Sequence, residues 1–264
     1  MTPDVPELPE LAQALGRGRH FTQAMRPMLA DCAPSGRVRL DALARWLQDV
    51  AYADIEEVAL QDTAVWVIRR ARLKVLRFPR FGERFELDTF ASGLGRMWAE
   101  RRTTVRAIPG GGGPLASTAA TALVEAAVLW IHLDPVRGVP VPLGEQIVSA
   151  YAEAAGDRRF SHRLTHPRPQ QPTSECDWVF RRTDTDLADH VNNAAYWEAL
   201  EEELLGAEGD LAEIDVEFEF RTPAQPGPVR VLAEGPYRWL TDPESGEVYA
   251  SILIANSRTT SGSN

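Results

Sequence analysis

Arg181-Arg182-Thr183-Asp184-Thr185-Asp186-Leu187-Ala188-Asp189-His190-Val191-Asn192-Asn193-Ala194-Ala195-Tyr196-Trp197 sets a run of aspartates, a histidine and paired asparagines ahead of an apolar and aromatic stretch. Asp184 to Asp189 reads as a polar loop whose Asp and Thr oxygens can cap a helix. From about Val191, residues Ala194, Ala195, Leu200 and Leu204 recur at a spacing that predicts a helix with one buried face. His190, Asn192 and Asn193 then lie at its N-terminus, where free N–H groups and the helix dipole favour negative charge. Amides of Val191–Asn193 could hold an oxyanion there, with Asp186 or His190 beside it. The same residues also describe an ordinary capped helix whose first turn faces solvent.

Asp184-Thr-Asp-Leu-Ala-Asp-His-Val-Asn-Asn-Ala-Ala-Tyr196 resembles the Asp-x-Asp-x-x-x-His-Val-Asn-Asn-x-x-Tyr signature of the acyl-acyl-carrier-protein thioesterases, in a bacterial form. That resemblance implies an α+β fold of two tandem hot-dog units, each an antiparallel sheet wrapped around a long central helix. It implies hydrolysis of fatty acyl thioesters within cytoplasmic fatty acid biosynthesis, with the acidic acyl-carrier protein as partner. It also implies catalysis by Asp186, His190 and Asn193. Asp186 would serve as base or nucleophile, His190 would orient water or polarise the thioester, and Asn193 would position the loop or the water. Two other readings stay open: an acyl-CoA thioesterase, and a non-catalytic acyl-carrier or lipid-binding protein of the same fold.

Composition narrows the setting. The 264 residues are 44% hydrophobic, enough for a substantial core, and no apolar run is long enough for a membrane span. Met1 to Leu15 is acidic and proline-bearing and lacks the basic and apolar regions of a secretion signal, which points to the cytoplasm. Cys32 and Cys176 form no framework, and His20, His132, His162, His166 and His190 are scattered without ligand spacing, so neither metal nor cofactor is expected. The net charge of -10 argues against general nucleic-acid binding. Arg69 to Arg106 nevertheless holds 11 basic and 4 acidic residues. This stretch is either a docking patch for an acidic carrier, with Arg69 and Arg101 as first choices, or the solvated face of several strands. A homodimer is left open.

Taken in order, residues 1–18 read as a loose arm and Phe21 to Leu29 as a strand. Leu40, Leu43, Leu47 and Val50 predict a long helix from about 40 to 60. Strands follow at 64–75, 84–91, 97–107 and 124–133, with 109–114 as a glycine-rich hairpin loop and 116–122 unassigned. A helix is expected over 144–155, ended by Gly156. Trp46, Trp66, Phe90 and Trp98 are candidates for an acyl-chain lining, or ordinary core.

Self-similarity supports two copies. At an offset of 153 positions, Asp31…Gly36-Arg37-Val38-Arg39 meets Asp184…Asp189-His190-Val191-Asn192, and the register shortens further on. The units are set at 19–165 and 175–258, joined by a proline-rich linker over 166–174. Ala33 and Arg37 stand in the first copy where Asp186 and His190 stand in the second, so chemistry is expected only there. The pattern departs from the plant relatives at three places. Ala188 replaces an Asn, and Pro223 and Ala224 fall where those relatives carry Glu and Cys, so a cysteine-centred mechanism is not supported. Glu217 and Glu219, a few residues earlier, are not equated with that Glu.

Overall fold

A computed structural model describes residues 5–61, 65–109, 122–207 and 209–260. The chain runs β1 (Phe21–Met25), α1 (Leu40–Glu57), β2 (Val65–Val75), β3 (Phe85–Leu94), β4 (Trp98–Ala107), β5 (Ala122–Leu133) and α2 (Glu145–Ala155). It continues with β6 (Ser174–Phe180), α3 (Tyr196–Leu205), β7 (Asp210–Phe220), β8 (Gly227–Glu234), β9 (Tyr237–Thr241) and β10 (Val248–Thr260). Among the described residues, these ten strands join one antiparallel sheet in the order β1-β3-β4-β5-β2-β7-β10-β9-β8-β6. Read inward from each edge, the two halves follow the same connectivity, and β2 pairs with β7 where they meet.

Period-two alternation explains which face carries the core. On β2, Ala71, Leu73 and Val75 are buried and join Leu40, Leu43, Leu47 and Val50 of α1 in one cluster with Phe85 and Leu87 of β3. The cluster continues through Trp197 and Leu200 of α3 to Val216 and Phe218 of β7, the Trp197 and Phe218 rings stacking at 4.0 Å. Both helices thus share one face of the sheet. Helix α1 spans 18 residues, but α3 spans 10 and begins only after a short 3-10 turn at Asn193–Ala195. That is later and shorter than a helix from Val191. Strand β1 likewise ends at Met25, and Leu29–Asp31 is a 3-10 turn instead of the strand's end.

The opposite face carries Arg70, Arg72 and Arg102, and it is covered. Arg70 donates to the Ser161 carbonyl at 2.9 Å, Arg102 to that of Ala12 at 3.0 Å, and Arg72 to that of Pro9. Glu219 accepts the Thr165 and His166 amides, while Arg221 donates to the His166 carbonyl at 2.8 Å. Trp239 donates its indole N–H to the Pro167 carbonyl at 2.8 Å. Segments 9–13 and 158–167 are thereby strapped across the sheet. Gly93 admits the strap: a Cβ there would stand 2.0 Å from the Phe160 ring.

This removes most of the expected docking patch. Arg69 bonds the Phe220 and Arg221 carbonyls at 2.9 Å, and Arg101 is 8% exposed and paired with Asp54 at 2.6 Å. Arg72 pairs with Asp215, Arg102 with Glu125, Arg77 with Glu83 and Arg80 with Asp210. Lys74, Arg84 and Arg96 remain exposed. A sequence count cannot see such pairing, because the acidic partners lie mostly outside the stretch. The glycine-rich 110–114 and most of 116–122 lie outside the described residues; Ala122 opens β5.

Candidate active site

The loop that precedes α3 is closed by its own backbone. The Arg181 amide donates to Asp184 Oδ2 at 2.7 Å, which fixes a 3-10 turn at Arg182–Asp184. Thr185 bridges Val191, and the Asp186 amide donates to the His190 carbonyl at 3.0 Å. The Asp189 amide closes the tip onto the Asp186 carbonyl at 3.0 Å with Asp189 at φ +58, a left-handed position that Asp tolerates better than most residues. The carboxylate of Asp186 is held at both oxygens: Oδ1 accepts the Ala188 amide at 2.9 Å and Oδ2 the Asn192 side-chain amide at 3.2 Å.

The first half repeats this loop bond for bond. The Met28 amide donates to Asp31 Oδ2, Cys32 bridges Val38, the Ala33 amide donates to the Arg37 carbonyl, and Gly36 closes the tip at φ +84. The Val38 amide meets the Pro79 carbonyl at 2.8 Å as the Val191 amide meets that of Ala224 at 3.1 Å. The side chains differ where chemistry was expected. Arg37, in the place of His190, is 1% exposed and pairs with Glu201 at 2.7 Å and Asp210 at 3.0 Å.

Each helix also supports the start of the other. Glu201 of α3 accepts the Leu40 amide at the N-terminus of α1 at 3.0 Å. Gln48 of α1, 153 positions earlier than Glu201, exchanges two 3.1 Å hydrogen bonds with Asn192. Asn192 in turn caps the turn before α3 by accepting the Ala194 amide at 2.8 Å. A chain of bonds therefore runs from α1 through Gln48 and Asn192 to the Asp186 carboxylate.

Asp186, Leu187 and Ala188 form part of the wall of a cavity of about 810 Å³. Gln48, Tyr52 and Ile55 of α1 line it, with Trp66 of β2, Trp130 of β5 and Ile147 of α2. Leu187 is fully exposed at its rim. Of the four aromatics singled out in the sequence, Trp66 alone lines the cavity. Trp46 packs near Phe85 in the core, Phe90 stacks on His20, and Trp98 packs on Phe160. Trp130 was missed, because one aromatic in an apolar strand carries no signal of which face it takes.

The structure places the three expected catalytic residues unequally. Asp186 lies at the cavity and in the hydrogen-bond chain. His190 is exposed, closes the loop through its carbonyl, and is not part of the cavity wall. Asn193 is half-buried beside Gln48, Trp197 and Phe220; its neighbour Asn192 is the residue that reaches Asp186. The expected oxyanion amides of Val191 and Asn192 are already donated to the carbonyls of Ala224 and Asp184. Tyr196, the last residue of the motif, accepts the Ala224 amide at 2.9 Å, and burial pushes its phenol up to about 12. Ala224 thus adjoins the loop, but through its backbone.

His166, Glu217 and Glu219 bring ligand-type atoms within 4.8 Å of one another, a grouping that sequence spacing did not reveal. Glu219 is occupied by the Thr165 and His166 amides and Arg221, and Arg70 stands 3.6 Å from Glu217. Donors already fill that carboxylate, so the group works as the clamp on the strap.

Solved structures share this architecture. A protein described as an oleoyl thioesterase from Lactobacillus plantarum aligns over 94% of this chain and 99% of its own, with a TM-score of 0.76 and 17% identity. The 12:0-ACP thioesterase from Umbellularia californica aligns over 92% and 99%, at 0.69 and 16%. An acyl-ACP thioesterase from Bacteroides thetaiotaomicron aligns over 89% and 96%, at 0.68 and 16%. Two uncharacterised proteins from strains of Mycobacterium tuberculosis are 22% identical over 218 residues, 82% of this chain and 83% of theirs. The fold is thus that of the hot-dog-like thioesterases, a large antiparallel sheet with few helices. Residues 18–151 match the acyl-ACP thioesterase N-terminal domain and 168–229 its C-terminal domain, so the chain belongs to the acyl-ACP thioesterase family and is a thioester hydrolase.

Proposed function

We propose that the chain hydrolyses fatty acyl groups from acyl-carrier protein, with Asp186 as general base or nucleophile and the cavity as the acyl site. The observation that carries this reading is the position of Asp186, anchored at both carboxylate oxygens and lining the cavity. Each of its oxygens keeps a second lone pair for water. Water attacks the thioester carbonyl carbon as Asp186 takes its proton, and the carbon–sulfur bond then breaks to release fatty acid and the carrier thiol. His190, on the same loop, orients the water from the solvent side. Asn193, packed beside Gln48, holds the helix start against α1.

In this reading each half is a hot-dog unit, the first shaping the acyl site and the second supplying the carboxylate. The identical strand connectivity and the repeated loop support it. The setting is cytoplasmic fatty acid biosynthesis; among the described residues no helix is long and apolar enough to cross a membrane. A chain-length series presented on acyl-carrier protein and on coenzyme A tests the proposal. Higher kcat/KM on the carrier protein is expected. Preference for coenzyme A would move the chain to the acyl-CoA reading. No turnover on either carrier would leave a binding protein.

A further inference from the structure

The cavity opens along α1. Asp49, Tyr52 and Glu56 recur on one stripe of that helix, and all three are exposed and line the cavity. Asp49 follows Gln48, whose bonds to Asn192 tie this stretch of α1 to the Asp186 loop. Asp186 and Leu187 are likewise exposed lining residues, so they share that opening. Three carboxylates therefore border it, and among the described residues none of the three is ion-paired. Arg45, one turn before Asp49, gives its bonds to Asp31 and Asp41. Among the described residues Arg101 is the one basic side chain in the lining, and it is buried and paired with Asp54 at 2.6 Å. Glu100 also lines the wall, but burial pushes its carboxyl up, so the charge gathers at the opening.

Hydrolysis changes the charge of what occupies this cavity. A thioester is neutral, whereas the acid it yields loses a proton near neutral pH and becomes a carboxylate. Formed beside Asp186, that carboxylate also faces like charge from Asp49 and Glu56, which disfavours its ionised form there. Water at the opening screens each of these contacts, so each effect is small and weakens with salt. Resting on the reading of this cavity as the acyl site, we propose that Asp49 and Glu56 make its opening charge-selective, retaining neutral acyl groups and expelling the carboxylate product. Tyr52 and Leu187 offer both forms the same apolar contact, so charge is what separates them.

Ligand binding to the wild-type protein tests this without requiring turnover. Octanoic to dodecanoic acids, ionised at about pH 8, are compared with their primary amides by calorimetry from low to high salt. At low salt the amide is expected to bind about tenfold more tightly, and the gap should narrow as salt screens the opening. The double variant Asp49→Asn, Glu56→Gln should tighten acid binding about three- to tenfold and leave the amide within about twofold. Should that variant fail to fold, the salt series on the wild-type pair decides alone. Acid binding as tight as amide binding at low salt overturns the proposal, even if thioesters are hydrolysed. A double variant that shifts both ligands equally overturns it too. Binding of neither ligand overturns it together with the acyl-site reading. A salt-sensitive amide preference in a protein that hydrolyses no thioester would keep the charge selectivity and remove the proposed reaction.

Discussion

Within the Asp186 loop, single side chains hold the geometry that chemistry needs. Tyr196 offers its hydroxyl to a buried Ala224 amide, which is part of the contact holding residue 224 against Val191. Tyr196→Phe leaves that amide without an acceptor and should cost about 1–3 kcal/mol in denaturant unfolding. An unchanged midpoint would show that the loop does not depend on it. His190→Ala should lower kcat about tenfold, less than the usual acid–base span, because the ring lies off the cavity wall. A loss as large as that of a carboxylate variant would give the imidazole a larger role. Burial pushes both thiols, Cys32 and Cys176, above their ordinary range, so neither favours thiolate. Cys32→Ser and Cys176→Ser should keep full activity. The Asp186 loop drew attention in the sequence because a dense motif marks it. The motif could not say which of Asn192 and Asn193 would reach it, since their side chains leave the helix start in different directions.

Two helices that brace each other's first turns make α1 part of the site. Gln48 touches no group of the signature in sequence, and only folding sets it against Asn192. Gln48→Ala should lower kcat severalfold with a smaller change in KM, because Asp186 loses its anchor through Asn192 while the cavity remains; a KM effect alone would make Gln48 a binding residue. Glu201 sits at the matching position in α3 but is buried with Arg37, so Glu201→Ala should destabilise by about 3–5 kcal/mol. At the other end of this contact, burial opposes ionisation of Asp41, but Arg39 and Arg45 outweigh it and hold its pKa below the ordinary value. A depressed carboxyl pKa gives stability that is present above 3.8 and lost as pH falls through the folded value. Asp41→Asn should therefore flatten the acid limb of an unfolding-versus-pH curve; an unaltered limb would assign acid lability elsewhere. Sequence periodicity located α1 well, but it overran α3. Val191–Ala195 shares apolar spacing with the helix, while its backbone is spent on the bridge to Thr185 and the 3-10 turn.

Across the whole molecule, the arginines bind the chain to itself. The excess of positive charge over Arg69–Arg106 was visible in composition, but its use was not, because pairing depends on strand register: Arg70 lies beside Glu219 and Arg72 beside Glu217 only once β2 meets β7. The repeated loop was legible because its turn chemistry survives at both places, whereas the cavity needs α1, α2, four strands and the Asp186 loop. With few free cations on that face, carrier recognition should show only modest salt dependence, checked by kcat/KM for acyl-carrier-protein substrate from low to high ionic strength. A steep fall would locate a basic surface elsewhere. In the proposed reaction Asp186 performs the hydrolysis within this cavity. Single-turnover hydrolysis of acyl-carrier-protein thioester by wild-type and Asp186→Asn protein tests it most directly, since product release does not enter. A loss of about 10²-fold or more in the chemical step is expected, with substrate binding retained. A folded Asp186→Asn protein that cleaves thioester at the wild-type rate would contradict it.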